Sequence, residues 1–180
     1  MLYAFILFVI VQRLLELRVA RRNEAWARSQ GAIEHAPEHY PWMVAMHTAW
    51  ILATFIESLA RGSQLGPFWF VWLSVFVLAQ FGRYWAISSL GPYWNTRILI
   101  VPGAKLVRRG PYKFLPHPNY VVVALELLTG PLIFGAWITA LAWTILNAIM
   151  LLGVRIPAEE RALEAYRTQT HRTETHRTSA

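Results

Sequence analysis

The sequence contains no cysteine. This absence excludes disulfide bridges, thiolate nucleophiles and cysteine-ligated metal sites. Charged residues are also scarce, at 15% of 180 residues, whereas 56% are hydrophobic and 14% are aromatic. That balance is too apolar for a soluble domain of this length, and aromatic side chains are typical anchors at membrane interfaces. We therefore interpret the chain as an integral membrane protein.

Hydrophobic stretches predict an all-α, polytopic fold with about five transmembrane helices. The stretches cover residues 1–19, 42–60, 67–87, 121–134 and 136–154. Gly130 and Pro131 bend or end the fourth stretch, and Gly135 permits a tight reversal. The last two stretches therefore predict a C-terminal helical hairpin. We expect a single domain over residues 1–167, with a disordered polar tail at 168–180 because that tail has no apolar face to bury.

The chain has a formal net charge of +7. Its basic residues concentrate in alternate connections between the hydrophobic stretches. The connection after the second stretch holds only Arg61 and the hairpin turn holds none, whereas the other connections and the tail are basic. The positive-inside rule then predicts an N-terminus outside and a C-terminus in the cytoplasm, with the long connection also cytoplasmic. The basic connections hold Arg18, Arg21, Arg22, Arg28, Arg83, Arg97, Lys105, Arg108, Arg109 and Lys113, and the tail holds the arginines after Val154. These residues form no separate soluble domain. Nucleic-acid binding is therefore not expected.

A proline-rich segment, residues 110–120, precedes the fourth stretch and is the first candidate for chemistry. Three prolines in this segment prevent a regular helix, and irregular backbone beside a membrane helix must be covered by protein or line a wet cavity. Four of its side chains can form hydrogen bonds: Tyr112, His117, Asn119 and Tyr120. The alternative is a rigid connector with interfacial tyrosines.

A second polar cluster, residues 155–161, follows the fifth stretch. Pro157 suits the start of a new helical segment, and Glu159 and Glu160 complement a helix N-terminus. Arg155 could equally be a snorkelling anchor at the membrane surface. In the functional interpretation this cluster faces the proline-rich segment. Arg155 then attracts an anionic substrate, and Glu159 receives a cationic or hydroxyl-rich cofactor.

Isolated polar residues within the hydrophobic stretches offer weaker hypotheses. Ionisable groups in membrane helices are costly and often functional, so His47 and Glu57 could line a lipid or ion path. Asn147 is interpreted as a hydrogen-bonding contact between helices. His171 and His176 in the polar tail make a weak metal site, and we predict no bound metal.

The order of motifs is more specific than any single residue. Arg83-Tyr84-Trp85 is followed by Leu-Gly-x-x-Trp from Leu90, Leu-Val-x-x-Gly-Pro-Tyr from Leu106, His-Pro-x-Tyr from His117, an apolar hairpin, and Arg-Ile-x-x-Glu-Glu from Arg155. This order resembles the isoprenylcysteine carboxyl methyltransferase family over about residues 83–163. The runs 93–96 and 113–120 look most like short bacterial members that methylate alkylpyrones. Phospholipid methyltransferases share a similar C-terminal pattern.

The resemblance implies a membrane enzyme that uses S-adenosylmethionine without a Rossmann domain, in a bacterial cytoplasmic membrane. The cofactor pocket would lie under the hairpin on the cytoplasmic side. By motif position, the implied cofactor-binding residues are Tyr112, His117, Pro118, Asn119, Tyr120 and Glu159, with a looser match at Lys105, Leu106 and Val107. Arg155 matches the substrate-side arginine. Pro116 stands where the family usually has arginine, which removes one positive charge from the pocket. Lys113 could replace that arginine in pairing with the cofactor carboxylate.

The leading functional hypothesis is O-methylation of a lipophilic small molecule, with an alkylpyrone- or alkylresorcinol-type hydroxyl preferred. A prenylcysteine carboxylate, a phospholipid amine and a non-catalytic membrane scaffold are the alternatives. The expected partners are the lipophilic substrate and membrane lipids. The oligomeric state stays open.

Overall fold

Five helices form the framework of the computed structural model, which describes residues 1–166. They are α1 (Leu2–Ser29), α2 (Tyr40–Ala60), α3 (Trp69–Leu90), α4 (Pro118–Leu132) and α5 (Trp137–Met150). The helical class is thus confirmed for the described residues. The predictions for the tail at 168–180, including His171 and His176, lie outside them.

Among residues 1–166, three helical segments are long and apolar enough to cross a membrane: Pro37–Ala60, Trp69–Tyr93 and Trp137–Tyr166. Outward side chains on these segments, such as Leu78, Phe81 and Ile149, are exposed, as expected for a surface in contact with lipid. A crossing needs about 20 residues of helix. Because α4 has 15 residues and α1 carries several charges, a full count of five crossings stays a prediction.

The predicted helical hairpin is confirmed, and close glycine contacts shape its turn. Gly135 adopts a left-handed φ of 69° between α4 and α5. A side chain at Gly66 would place its Cβ 2.7 Å from the Gly135 Cα. The Gly66 N–H donates to the Ile133 carbonyl at 2.9 Å. The connection between α2 and α3 therefore packs against the hairpin turn at one end of the bundle.

A two-stranded ribbon at the opposite end is absent from the all-α prediction. Strand β1 (Ile33–His35) pairs antiparallel with β2 (Ile98–Ile100), with Ile33 opposite Ile100. Each strand has three residues, which is too short to produce a period-two pattern in the sequence. The ribbon joins the connection after α1 to the connection after α3, so these two connections lie at the same end.

The predicted new helix at Pro157 is wrong, because α5 continues without a break through Tyr166. A π-helical turn at Leu151–Arg155 leads directly into residues 156–166. A proline lacks an N–H and its ring clashes with the carbonyl four residues earlier, which is relieved where the helix widens. The π-turn therefore allows one continuous helix to carry both Arg155 and Glu159.

Two assignments of arginines to connections are also wrong. Helix α1 continues to Ser29, so Arg18, Arg21, Arg22 and Arg28 lie on a helix rather than after one. Arg83 lies inside α3 with 2% of its surface exposed. The reason is a carboxylate, Glu126, that α4 places opposite it.

Candidate functional site

A cavity of about 1160 Å³ brings the two predicted polar clusters together. It lies among α1, α2, the connection from α3 to α4, α4, and the continuation of α5. Most of the predicted site residues line it: Leu106, Val107, Tyr112, His117, Asn119, Tyr120, Arg155 and Glu159. Lys105 is exposed and Pro118 is buried, and neither is part of the lining.

Local backbone geometry places the proline-rich segment against this cavity. Gly110 has a left-handed φ of 58°, and a side chain there would place its Cβ 2.9 Å from the Ser89 Cβ. A 3₁₀ turn at Gly110–Lys113 follows. Pro118 then opens α4 at a position where its missing N–H costs nothing. This backbone holds Tyr112 and His117 at the rim, and α4 carries Tyr120 one turn further in.

A chain of hydrogen bonds on the cavity wall links the proline-rich segment to the polar cluster at residues 155–161. The Arg155 Nε donates to the Tyr120 hydroxyl at 3.0 Å, and that hydroxyl donates to Glu159 Oε2 at 2.5 Å. The His117 ring stacks on Tyr120 with ring centroids 5.2 Å apart, and its Nδ1 is 3.8 Å from Glu159 Oε2. A guanidinium, a phenol and a carboxylate are therefore held in one fixed order.

Arg155 has a further partner that sequence reasoning missed. Its Nη1 lies 2.7 Å from the His39 Nε2, and both side chains are buried. His39 ends a short 3₁₀ turn, Pro37–His39, between β1 and α2. A histidine in a connection, 116 residues away in sequence from its partner, gives no local signal.

Tyr112 and Asn119 offer a hydrogen-bond donor and an acceptor to the cavity. Burial, and secondly the charge of Glu159, raise the pKa of Tyr112 well above its ordinary value, so its phenol keeps its hydrogen. The Oδ1 of Asn119 is buried and finds no hydrogen-bond partner among residues 1–166. Buried polar atoms are normally paired, so an unpaired acceptor on a cavity wall fits a ligand donor.

A cluster of buried charges around Glu126, which the sequence analysis did not predict, forms another part of the cavity wall. Glu126 on α4 accepts hydrogen bonds from Arg83, from Arg13 at 2.7 Å and from Gln80 at 2.9 Å. Glu16 pairs with both arginines. Arg13, Glu16 and Arg83 line the cavity. The sequence signal for this cluster was Glu126, a single glutamate within an apolar stretch. An ionisable residue in a membrane helix indicates a functional site.

The isolated polar residues have different outcomes. Glu57 accepts hydrogen bonds from the N–H groups of Ile138 and Thr139 at 3.1 and 2.7 Å, so it caps the N-terminus of α5 and is not in the cavity lining. His47 lines the cavity, with its Nδ1 2.8 Å from the Met43 carbonyl. Asn147 also lines it, but its Oδ1 pairs with no described residue, so no interhelical bond forms there.

Lys113 and Pro116 both line the cavity and both are exposed. That Lys113 replaces the arginine expected at position 116 stays a prediction. Within residues 1–166, no group of three or more metal-ligating side chains lies together. At the two predicted clusters the arrangement therefore offers hydrogen bonds, the Arg155 guanidinium and the Glu159 carboxylate to a ligand.

The chain is similar to one protein family and to two individual proteins. The model of the isoprenylcysteine carboxyl methyltransferase (ICMT) family matches residues 72–165. The chain is 46% identical to the uncharacterized protein YpbQ of Bacillus subtilis (strain 168) over 166 residues, covering 92% of this chain and 98% of that protein. An uncharacterized protein of Haemophilus influenzae is 26% identical over 156 residues, covering 86% and 90%. No solved structure matches.

Proposed function

The chain belongs to the isoprenylcysteine carboxyl methyltransferase family, and we propose that it is an S-adenosylmethionine-dependent O-methyltransferase. Family membership supports a methyltransferase that works in a membrane, and the three apolar helices agree with that location. The substrate we propose is a lipophilic small molecule with an acidic hydroxyl, of the alkylpyrone or alkylresorcinol type. The hydrogen-bonded chain Arg155–Tyr120–Glu159 on the cavity wall is the observation that carries this proposal.

The donor set on one side of the cavity fits the cofactor. S-adenosylmethionine supplies a methyl group already activated as a sulfonium. Glu159 and the unpaired Asn119 Oδ1 can accept hydrogen bonds from ribose hydroxyls or from the ammonium group, and the Tyr112 phenol can donate one. His117 and Tyr120 complete this side, with the backbone of Leu106 and Val107 near it. We leave Lys105 and Pro118 out of the contact set because they do not line the cavity.

Arg155 faces the same cavity and suits an anionic acceptor oxygen. A guanidinium favours the ionised form of a neighbouring acidic hydroxyl, so no strong general base is needed. The protein's main task is then to align this oxygen with the methyl group. Good alignment can lower a reaction barrier by about 7–11 kcal/mol.

The size and lining of the cavity support a large lipophilic acceptor beside the cofactor. Its volume of about 1160 Å³ lies above the usual range of ligand sites, about 300–1,000 Å³. Apolar side chains from α2 and the end of α5 line it, including Val44, Ile51 and Met150. These side chains can contact an alkyl tail while the polar head meets Arg155.

We also propose that the ribbon end of the molecule faces the cytoplasm of a bacterial cell. Arginine and lysine residues gather at that end, as the positive-inside rule expects. The natural lack of cysteine makes a labelling test simple. An impermeant maleimide should label Gln64→Cys, but not Ser29→Cys, in intact cells, and the reverse result would invert the orientation.

An acceptor assay tests the proposed function. Detergent-purified protein would be incubated with S-adenosylmethionine and one of three acceptors: a long-chain alkyl hydroxypyrone, a farnesylated cysteine derivative or phosphatidylethanolamine. Mass spectrometry then identifies the product. We expect a methyl ether of the hydroxypyrone, and Arg155→Ala should lower the rate on the order of 100-fold. A methyl ester alone, or an N-methylated lipid alone, would replace the proposed substrate class. Absence of both transfer and cofactor binding in a folded protein would favour the scaffold alternative.

A further inference from the structure

Arg155 differs from the other buried arginines of the cavity in what it pairs with. Arg13 and Arg83 both pair with the carboxylates of Glu126 and Glu16. Arg155 is 4% exposed, and within residues 1–166 it forms no ion pair with a carboxylate. Its contacts are the Tyr120 hydroxyl and the His39 ring. No carboxylate within residues 1–166 therefore occupies its remaining N–H groups, and Glu159 is linked to it only through the Tyr120 hydroxyl.

The chemistry of the contact defines the state of His39. An arginine side chain can only donate hydrogen bonds, so the His39 Nε2 must accept from Nη1 across their 2.7 Å separation. Only an unprotonated nitrogen can accept. The His39 ring is therefore neutral and carries its hydrogen on Nδ1.

The two neutral contacts also define how the guanidinium is oriented. The Tyr120 hydroxyl accepts a hydrogen bond from Arg155 Nε and donates one to Glu159. The His39 Nε2 accepts a hydrogen bond from Arg155 Nη1. One Nη1 hydrogen and the Nη2 hydrogens are not used by these two bonds. Because Arg155 lines the cavity, those donors remain for a bound molecule.

We propose that His39 is a positioning residue of the methyl-transfer site: as a neutral acceptor it holds the Arg155 guanidinium so that its free N–H groups meet the anionic oxygen of the acceptor. This inference deepens the proposed function and rests on it for the anionic acceptor. The family model matches residues 72–165. The proposal therefore assigns part of the site to a segment that lies before the matched residues.

The turn that carries His39 is anchored on both sides. The turn Pro37–His39 follows Ala36, which has a left-handed φ of 47°. Directly after the turn, the Arg97 guanidinium lies 4.2 Å from the centre of the Tyr40 ring. The pairing of β1 with β2 anchors the other side of the turn. The ribbon thus places a histidine from the first connection beside Arg155 in the last helix.

Kinetics of two His39 variants separate a positioning role from a merely structural one. His39→Leu removes the acceptor, whereas His39→Gln keeps an acceptor oxygen at a similar reach. With a long-chain alkyl hydroxypyrone, we expect His39→Leu to lower kcat/KM for this acceptor by about ten- to a hundredfold, the usual effect of losing a hydrogen bond to a charged group. The KM for S-adenosylmethionine should stay unchanged, and His39→Gln should recover most of the activity. His35→Leu, in the same ribbon, is the control and should behave as wild type.

Equal loss in His39→Leu and His39→Gln, or a loss that falls on the KM for S-adenosylmethionine, would overturn the proposal. A second measurement does not need turnover. In the ¹⁵N spectrum of histidine-labelled protein, the signal that disappears in His39→Gln should be that of a neutral ring with its hydrogen on Nδ1. A cationic ring, or a hydrogen on Nε2, would overturn the inference for any substrate. A wild type that transfers no methyl group to the hydroxypyrone contradicts the proposed function, and the spectrum then decides the His39–Arg155 pairing by itself.

Discussion

Glu126 lies with 1% of its surface exposed in the middle of an apolar hairpin, where an unpaired carboxylate would be very costly. Arg83 satisfies both of its oxygens, and Arg13 and Gln80 add a hydrogen bond each. With Glu16 included, two arginines balance two glutamates. The cluster ties α1, α3 and α4 together at the cavity wall, and it leaves no net charge there.

Replacing Glu126 by glutamine should destabilise the protein strongly. The change keeps the shape but leaves Arg13 and Arg83 with only Glu16 as a carboxylate partner, and breaking a buried ion pair costs about 3–5 kcal/mol. The measurement is the free energy of unfolding in detergent. Glu24→Gln is the control, since Glu24 pairs with the exposed Arg28 and should cost at most about 1 kcal/mol. Equal effects of the two changes would show that the buried cluster contributes nothing special.

Single residues of the site were predictable where a motif names them. Tyr112, His117, Tyr120 and Glu159 belong to ordered motifs, and the structure brings them to one cavity. His39 was not predictable, because nothing near it in sequence distinguishes it from any loop histidine. Its contact with Arg155 joins two residues that are 116 positions apart.

At the scale of elements, the continuous helix from α5 to Tyr166 has the clearest consequence for the site. Arg155 ends the π-turn and Glu159 lies one helical turn later, so both face Tyr120. The sequence predicted a new helical segment at Pro157, because the missing N–H of a proline costs little at the first position of a helix. A π-turn has no sequence signature of its own, so its presence could be found only in the structure.

The backbone of the proline-rich segment should be sensitive to substitution at one glycine. Gly110→Ala would combine a left-handed φ with a Cβ only 2.9 Å from the Ser89 Cβ. We expect it to lower the thermal midpoint in detergent and to weaken S-adenosylmethionine binding, because Tyr112 and His117 follow this turn.

Gly103→Ala is the matched control for that substitution. Gly103 also has a left-handed φ, of 76°, but a Cβ there meets no atom within 4 Å. Its effect should be limited to backbone strain of about 1–3 kcal/mol. If Gly110→Ala binds the cofactor as well as Gly103→Ala does, the tight contact at Ser89 does not position the site.

The hairpin and the ribbon differ in how far sequence could predict them. Gly130, Pro131 and Gly135 mark the hairpin turn within one short window, so local chemistry was sufficient. The ribbon pairs Ile33 with Ile100 across two intervening helices. Pairing between such distant three-residue strands depends on how the helices pack, which local patterns do not show.

At the scale of the whole molecule, the N-terminal helices and the family-matched segment build one cavity. Arg13 and Glu16 from α1 and Tyr40 and His47 from α2 line it together with Tyr120 and its neighbours. The similarity to YpbQ also runs over 92% of this chain. We therefore expect the first two helices to belong to the site rather than merely to complete the bundle.

Binding of S-adenosylmethionine by detergent-purified protein, measured by calorimetry, tests the central claim most directly. Wild-type protein should bind the cofactor, and Glu159→Gln should lose most of that binding, because it removes the carboxylate that receives the Tyr120 hydroxyl. Glu24→Gln removes the same charge from a residue that does not line the cavity, and should bind as wild type does. Absence of binding by folded wild-type protein, or equal binding by Glu159→Gln, would contradict a methyl-donor site at this cavity.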